Sequence, residues 1–151
     1  MQIDIGGEQL ILFEDMTRPN NIAIRGSAGT GKTYQVLEIA KQVNPCKVIV
    51  VTDQIGDYPC SLPNIEIHSV IDFVIDSDNA IIVFDCSRLI STVYDYIDKL
   101  SKTSRFRNSI LITVWNDADA KNSIIMNCKY VINTTTEWLY SGLRTYRVRV
   151  N

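Results

Sequence analysis

A three-layer α/β domain around a mainly parallel sheet is the fold class this sequence predicts, on three observations. Five runs of strand length are apolar almost throughout: "NIAI" (21–24), "KVIVVT" (47–52), "AIIVFD" (80–85), "SILITVW" (109–115) and "KYVIN" (129–133). Strands of that kind are buried on both faces, the condition of a parallel sheet covered by helices. Segments of helical character separate them, and strand–helix alternation gives right-handed parallel crossovers. Third, the first run ends in a glycine-rich turn, "GSAGTGKT" (26–33), that leads straight into a helical pattern.

Taken in order, the chain opens with "QIDIGGEQLILF", which alternates around Gly6-Gly7 and predicts a β-hairpin. A short buried strand follows at 21–25, then a helix at 33–43 with Val36, Leu37 and Ala40 at helical spacing. A second strand ends at "VTDQIGDY"; a short helix led by Ser69 is expected at 70–77, before the third strand. The clearest helix is 88–102, where Leu89, Val93, Ile97 and Leu100 form one face and Asp95, Asp98, Lys99 and Lys102 the other. A fourth helix is expected at 118–127 between the last two apolar runs, and "TYRVRV" alternates Tyr146, Val148 and Val150 against Arg147 and Arg149 as a C-terminal edge strand. There is no internal repeat and no low-complexity tract.

The 151 residues, 46% hydrophobic and 21% charged, suffice for one domain over 1–151 with a substantial core. A formal net charge of −2 gives no basic field over the whole protein, so a nucleic-acid partner would meet a local patch. No apolar stretch approaches the ~18 residues of a membrane span, and "MQIDIGG" lacks the basic and apolar regions of a secretory leader, so a cytoplasmic location is expected. Cys46, Cys60, Cys86 and Cys128 include no C-x-x-C pair and His68 is the single histidine, a pattern that predicts reduced thiols rather than zinc.

The glycine-rich turn has a chemical reading. A strand that runs through such a turn into a helix aims successive backbone N–H groups and the positive helix end at one point, where an anion belongs. "GSAGTGKT" fits G-x-x-x-x-G-K-[ST], the Walker A pattern of P-loop nucleotide-binding proteins. Gly26 and Gly31 are expected to take backbone conformations closed to other residues, with Ser27, Ala28, Gly29 and Thr30 wrapping the phosphates between them. Lys32 would reach the β and γ phosphates of ATP, and Thr33 would offer its hydroxyl to Mg²⁺. Four such fixed positions match by chance in only about half a percent of chains of this size.

A hydrolytic P-loop domain also needs a carboxylate at the end of another strand to hold the Mg²⁺ water shell. Asp85, closing "AIIVFD", has that position. Additional-strand ATPases carry a glutamate next, whereas this chain has Cys86; Asp53, Asp57, Asp117 and Asp119 are substitutes by position, since the carboxyl ends of the strands share one rim with the loop. Asn116 ends the "SILITVW" strand where a polar sensor of the γ phosphate sits, with Thr113 a lesser candidate. Lys99, Lys102, Arg105 and Arg107 read either as a solvated basic helix end or as an arginine finger or nucleic-acid backbone patch.

The order of these parts resembles the FtsK/HerA-type P-loop ATPases, in particular short viral genome-packaging ATPases and their phage-assembly relatives, from Asn21 to the closing "YVINTTTEW" and "YRVRV". The resemblance implies a RecA-like additional-strand sheet of order 5-1-4-3-2. It implies a phosphate and Mg²⁺ site at Gly26, Gly29, Gly31, Lys32, Thr33 and Asp85, and a homo-oligomeric ring around single- or double-stranded DNA. It implies as well that Asn116 stands where the family has glutamine and Arg105 where it has the arginine before the sensor strand. A viral protein of this kind would work in the host cytoplasm or with the virion. Two other functions stay open: a small nucleotide or metabolite kinase, and a nucleotide-binding assembly or regulatory subunit with weak hydrolysis, which Cys86 favours.

Overall fold

The structure is a computed structural model that describes residues 1–17, 20–59, 61–73, 78–87, 91–103, 107–117, 122–138 and 144–151. Its strands are β1 (Gln2–Ile5), β2 (Glu8–Ile11), β3 (Ile22–Gly26), β4 (Val48–Thr52), β5 (Ile65–Ser69), β6 (Ile81–Asp85), β7 (Ile110–Asn116), β8 (Tyr130–Trp138) and β9 (Arg144–Val150). The helices are α1 (Lys32–Val43), α2 (Ser91–Thr103) and α3 (Asn122–Ile125).

The main sheet runs β5-β4-β6-β7-β3-β8-β9, parallel at every pairing except β8 with β9. Numbered by the five apolar runs alone, β8-β3-β7-β6-β4 has the order 5-1-4-3-2, and β5 and the antiparallel β9 extend it at either edge. Inside this order β4 and β6 are apolar on both faces along Val48–Val51 and Ile81–Phe84, because helices cover both. Ile22 and Ile24 of β3 pack with Val36, Ile39, Ala40 and Val43 of α1, while Ala23 between them belongs to the opposite face with Val93 and Ile97 of α2 and Ile124 of α3. Each isoleucine or valine so enclosed contributes on the order of 1.5–3 kcal/mol. The predicted hairpin forms as a separate two-stranded sheet, β1–β2, docked on α1: Asp4 N–H donates to Gln42 Oε1 and Gln42 Nε2 to Asp4 O, both at 2.7 Å.

Two sequence expectations are revised. "IEIHS" (65–69) is a parallel edge strand that hydropathy does not flag; Glu66 is held by Lys47 at 2.7 Å and by His68 at 3.2 Å. The helix expected at 70–77 does not start at its predicted residues: Ser69 bridges to Asp72, and the Ile71 N–H bonds to Ser69 Oγ at 3.3 Å, so the side chain closes a turn instead of opening a helix. Residues 74–77 lie outside the described residues, as do 88–90 at the head of the 88–102 helix and 118–121 at the head of the 118–127 helix. Among the described residues, no helix is long and apolar enough to cross a membrane.

Parallel register decides which residues can meet. Gly26 stands opposite Asn116 and Thr134, and Asp85 opposite Thr52 and Val114, so the ends of β3, β4, β6, β7 and β8 share one rim. Arg107 precedes the seven-residue β7, and Lys102 lies in the last turn of α2 that leads to it, with Lys99 one turn earlier, at the opposite rim about 20 Å away. Arg105 lies outside the described residues.

Candidate phosphate-binding site

Gly26 closes β3 with an ordinary negative φ, and its requirement is space. A Cβ there would stand 2.6 Å from Thr30 Oγ1, 2.7 Å from Thr134 O, and on top of Thr134 Oγ1. The conformational demand falls on Gly29 (φ 75°) and Gly31 (φ 86°), both left-handed, so the role expected of Gly26 belongs to Gly29 beside Gly31. Between them the buried Thr30 braces the loop: its hydroxyl donates to Ser27 O at 2.7 Å and lies 2.7 Å from Thr134 Oγ1, itself 3.2 Å from Arg25 O. Ser27, Ala28 and Gly29 stay exposed.

Gly31 caps α1 without a side-chain acceptor, and no acid occupies the first turn, so the leading N–H groups of a 12-residue helix present an uncompensated positive end. Lys32 lies half-buried with Nζ on Ser27 O at 2.7 Å. Burial lowers its ammonium below the ordinary lysine range, and the charges of Asp85 and Asp117 oppose that shift. Asp117 also meets Arg25 Nε at 3.5 Å and Ser27 Oγ at 3.3 Å.

Thr33 Oγ1 donates to Asp85 Oδ2 at 2.8 Å, so the two residues read from separate motifs meet directly. The same oxygen accepts the Tyr58 hydroxyl at 2.5 Å. Tyr58 is only 4% exposed; burial first, then the Asp85 charge, push its phenol well above the usual tyrosine range, which keeps it a donor. Sequence reasoning missed Tyr58, and no spacing rule would have found it.

The remaining candidates separate by their contacts. Cys86 Sγ faces Val51 O at 3.7 Å, and burial, then Asp53 and Asp85, push its thiol up to about 12, so it stays protonated at neutral pH. Asp53 takes the Ser87 N–H at 2.9 Å and hydroxyl at 2.5 Å, clasping the chain after β6. Thr113 is buried under the Trp115 indole, whose N–H it accepts at 2.7 Å. Asp57 ends a 3-10 turn, Ile55–Asp57; it is exposed, and its carboxylate makes no hydrogen bond or ion pair among the described residues. Asp119 lies outside the described residues. Lys32, Thr33, Asp57, Asp85 and Asn116 all line one cavity of about 410 Å³.

This cavity fits a phosphate chain and a hard divalent cation: a loop turned by the left-handed Gly29 and Gly31, open helix N–H groups, an ammonium, and a hydroxyl paired with a carboxylate. Among the described residues, no three His, Cys, Asp or Glu side chains gather into a metal cage, so a cation here would rely on ligand and water oxygens beside Thr33 and Asp85.

A parallel sheet whose strand β3 passes through this loop into α1, with a carboxylate closing a strand two places away, is a RecA-like P-loop fold. Two solved structures share it. The flagellar accessory protein FlaH from Methanocaldococcus jannaschii superposes with a TM-score of 0.60 at 16% identity, covering 88% of this chain and 79% of that one. The RadB recombinase gives 0.59 at 16% identity, covering 85% and 87%. No protein-family model and no curated protein matches the chain.

Proposed function

We propose that this chain, over 1–151, is an ATP-binding P-loop ATPase that works with Mg²⁺. The observation that carries the reading is the 2.8 Å hydrogen bond between Thr33 and Asp85 at the foot of a glycine loop. In this reading the backbone of Ser27 to Gly31 and the head of α1 hold the phosphates, and Lys32 leaves Ser27 O to take a phosphate oxygen. Mg²⁺, when bound, would neutralise phosphate charge beside Thr33 and Asp85. Tyr58 holds the Asp85 carboxylate in place. Asn116, which lines the same cavity, is assigned to the terminal phosphate, and Asp57, which reaches the cavity unencumbered by other described groups, to the attacking water in the absence of a glutamate at 86.

Lys32→Ala tests the assignment directly. Titration with a fluorescent ATP analogue is expected to lose most of the wild-type affinity, and unchanged affinity would sink the P-loop reading. Coupling to DNA translocation or packaging in a homo-oligomeric ring, with Arg105 acting across subunits, rests on the sequence resemblance; turnover stimulated by added DNA supports it, and DNA-independent turnover removes it. The protonated Cys86 thiol favours a second reading, a nucleotide-binding assembly subunit with slow hydrolysis. ATP binding without measurable turnover in any DNA condition would select it.

A further inference from the structure

We infer that the base of the bound nucleotide stacks on Tyr34 in a second cavity, of about 460 Å³, next to the phosphate cavity. This inference rests on the P-loop reading and names where the rest of the ligand goes. The two cavities share Gly31 and Tyr34, so a chain held by the loop passes from one into the other at the first turn of α1. The second is lined further by Thr30, Gln35 and Val148.

Charge sets the direction of the ligand. Asp57 and Asp85 line the phosphate cavity together with Asn116, whereas among the described residues no charged side chain lines the second cavity. The end that needs Mg²⁺ and water therefore belongs by the acids, and the uncharged end by Tyr34. Two side chains are then explained. Tyr34 is an aromatic left 60% exposed where the two cavities meet, a ring on which a planar partner can stack. Gln35 is only 8% exposed and lines the cavity, and its amide makes no hydrogen bond among the described residues. That amide is open to a ligand, and a base edge, with a donor beside an acceptor, matches both of its ends. Val148 of β9 lines the cavity as well, and the hairpin turn packs closely on it: a Cβ on Gly6 would stand 3.0 Å from Val148 O.

Calorimetry on the full chain tests this with two ligands, Mg-ATP and inorganic tripolyphosphate, the latter also run as a competitor against a fluorescent ATP analogue. Base–aromatic stacking predicts that Tyr34→Ala weakens ATP about 5- to 150-fold. Tripolyphosphate affinity should stay within about two-fold, and Tyr34→Phe should retain most of the ATP affinity. Gln35→Ala should weaken ATP and leave tripolyphosphate alone. Unchanged ATP affinity in Tyr34→Ala, or equal weakening of both ligands, overturns the inference. Failure of the underlying reading looks different: Lys32→Ala would then leave both ligands unaffected, or the wild-type chain would bind neither.

Discussion

Gly26→Ala probes the loop without touching any group that contacts a ligand by its side chain. The added methyl would meet Thr30 Oγ1 at 2.6 Å, Thr134 O at 2.7 Å, and Thr134 Oγ1 still more closely. Overpacking of this kind costs about 1–3 kcal/mol. The hydroxyls can yield only by giving up their mutual contact and their bonds to Ser27 O and Arg25 O, which adds about 1 kcal/mol. A loss of about 3 kcal/mol corresponds to a fall of roughly 6–12 °C in Tm for a domain of this size. Urea denaturation followed by circular dichroism measures it. Thr134→Ala in the Gly26→Ala background should recover part of the loss and no more, because the carbonyl of residue 134 remains in place. A Gly26→Ala protein within about 0.5 kcal/mol of wild type would refute the reasoning, since the backbone would then have room that the structure denies.

Asp85→Asn should leave nucleotide binding measurable while making it nearly insensitive to Mg²⁺, read by calorimetry with and without the ion; an unaltered Mg²⁺ dependence would move that role elsewhere. The Cys86 thiol, ordinarily near 9.0, is raised to about 12 in the fold, so its protonated form contributes stability that is complete below pH 9 and lost as the pH climbs toward 12. Denaturation curves at pH 8 and pH 10 should show wild type weakening more than Cys86→Ser, and equal weakening would place the thiol in open solvent.

Much of this fold could be read from the chain because its strands are apolar on both faces, and burial of that kind leaves a run no loop or surface helix carries. β5 escaped for the same reason in reverse: at an edge, Glu66 and His68 pair with each other and Lys47 at the surface, so the strand lacks the run. The loop was legible to the residue, since its glycines and lysine answer to local backbone and phosphate chemistry. What was not legible depends on distance along the chain. Tyr58 reaches Asp85 across 27 residues because β4 and β6 are neighbours, and Asp53 and Asp117 are engaged by Ser87, Arg25 and Ser27 through contacts no local pattern encodes. Four substitute acids were equivalent in sequence; geometry distinguishes Asp57 from its two described rivals.

The Lys32 ammonium rests on the carbonyl of Ser27, five residues before it in the same loop. An arriving anion therefore performs an exchange: one hydrogen bond from a cation is surrendered as another is made. A weakly charged visitor gains little by that trade, because it must outbid a neutral oxygen already at 2.7 Å. A string of phosphates also engages the helix end and the loop amides at once, and so wins. Discrimination by charge density is thus present in the loop before any other part of a ligand is recognised.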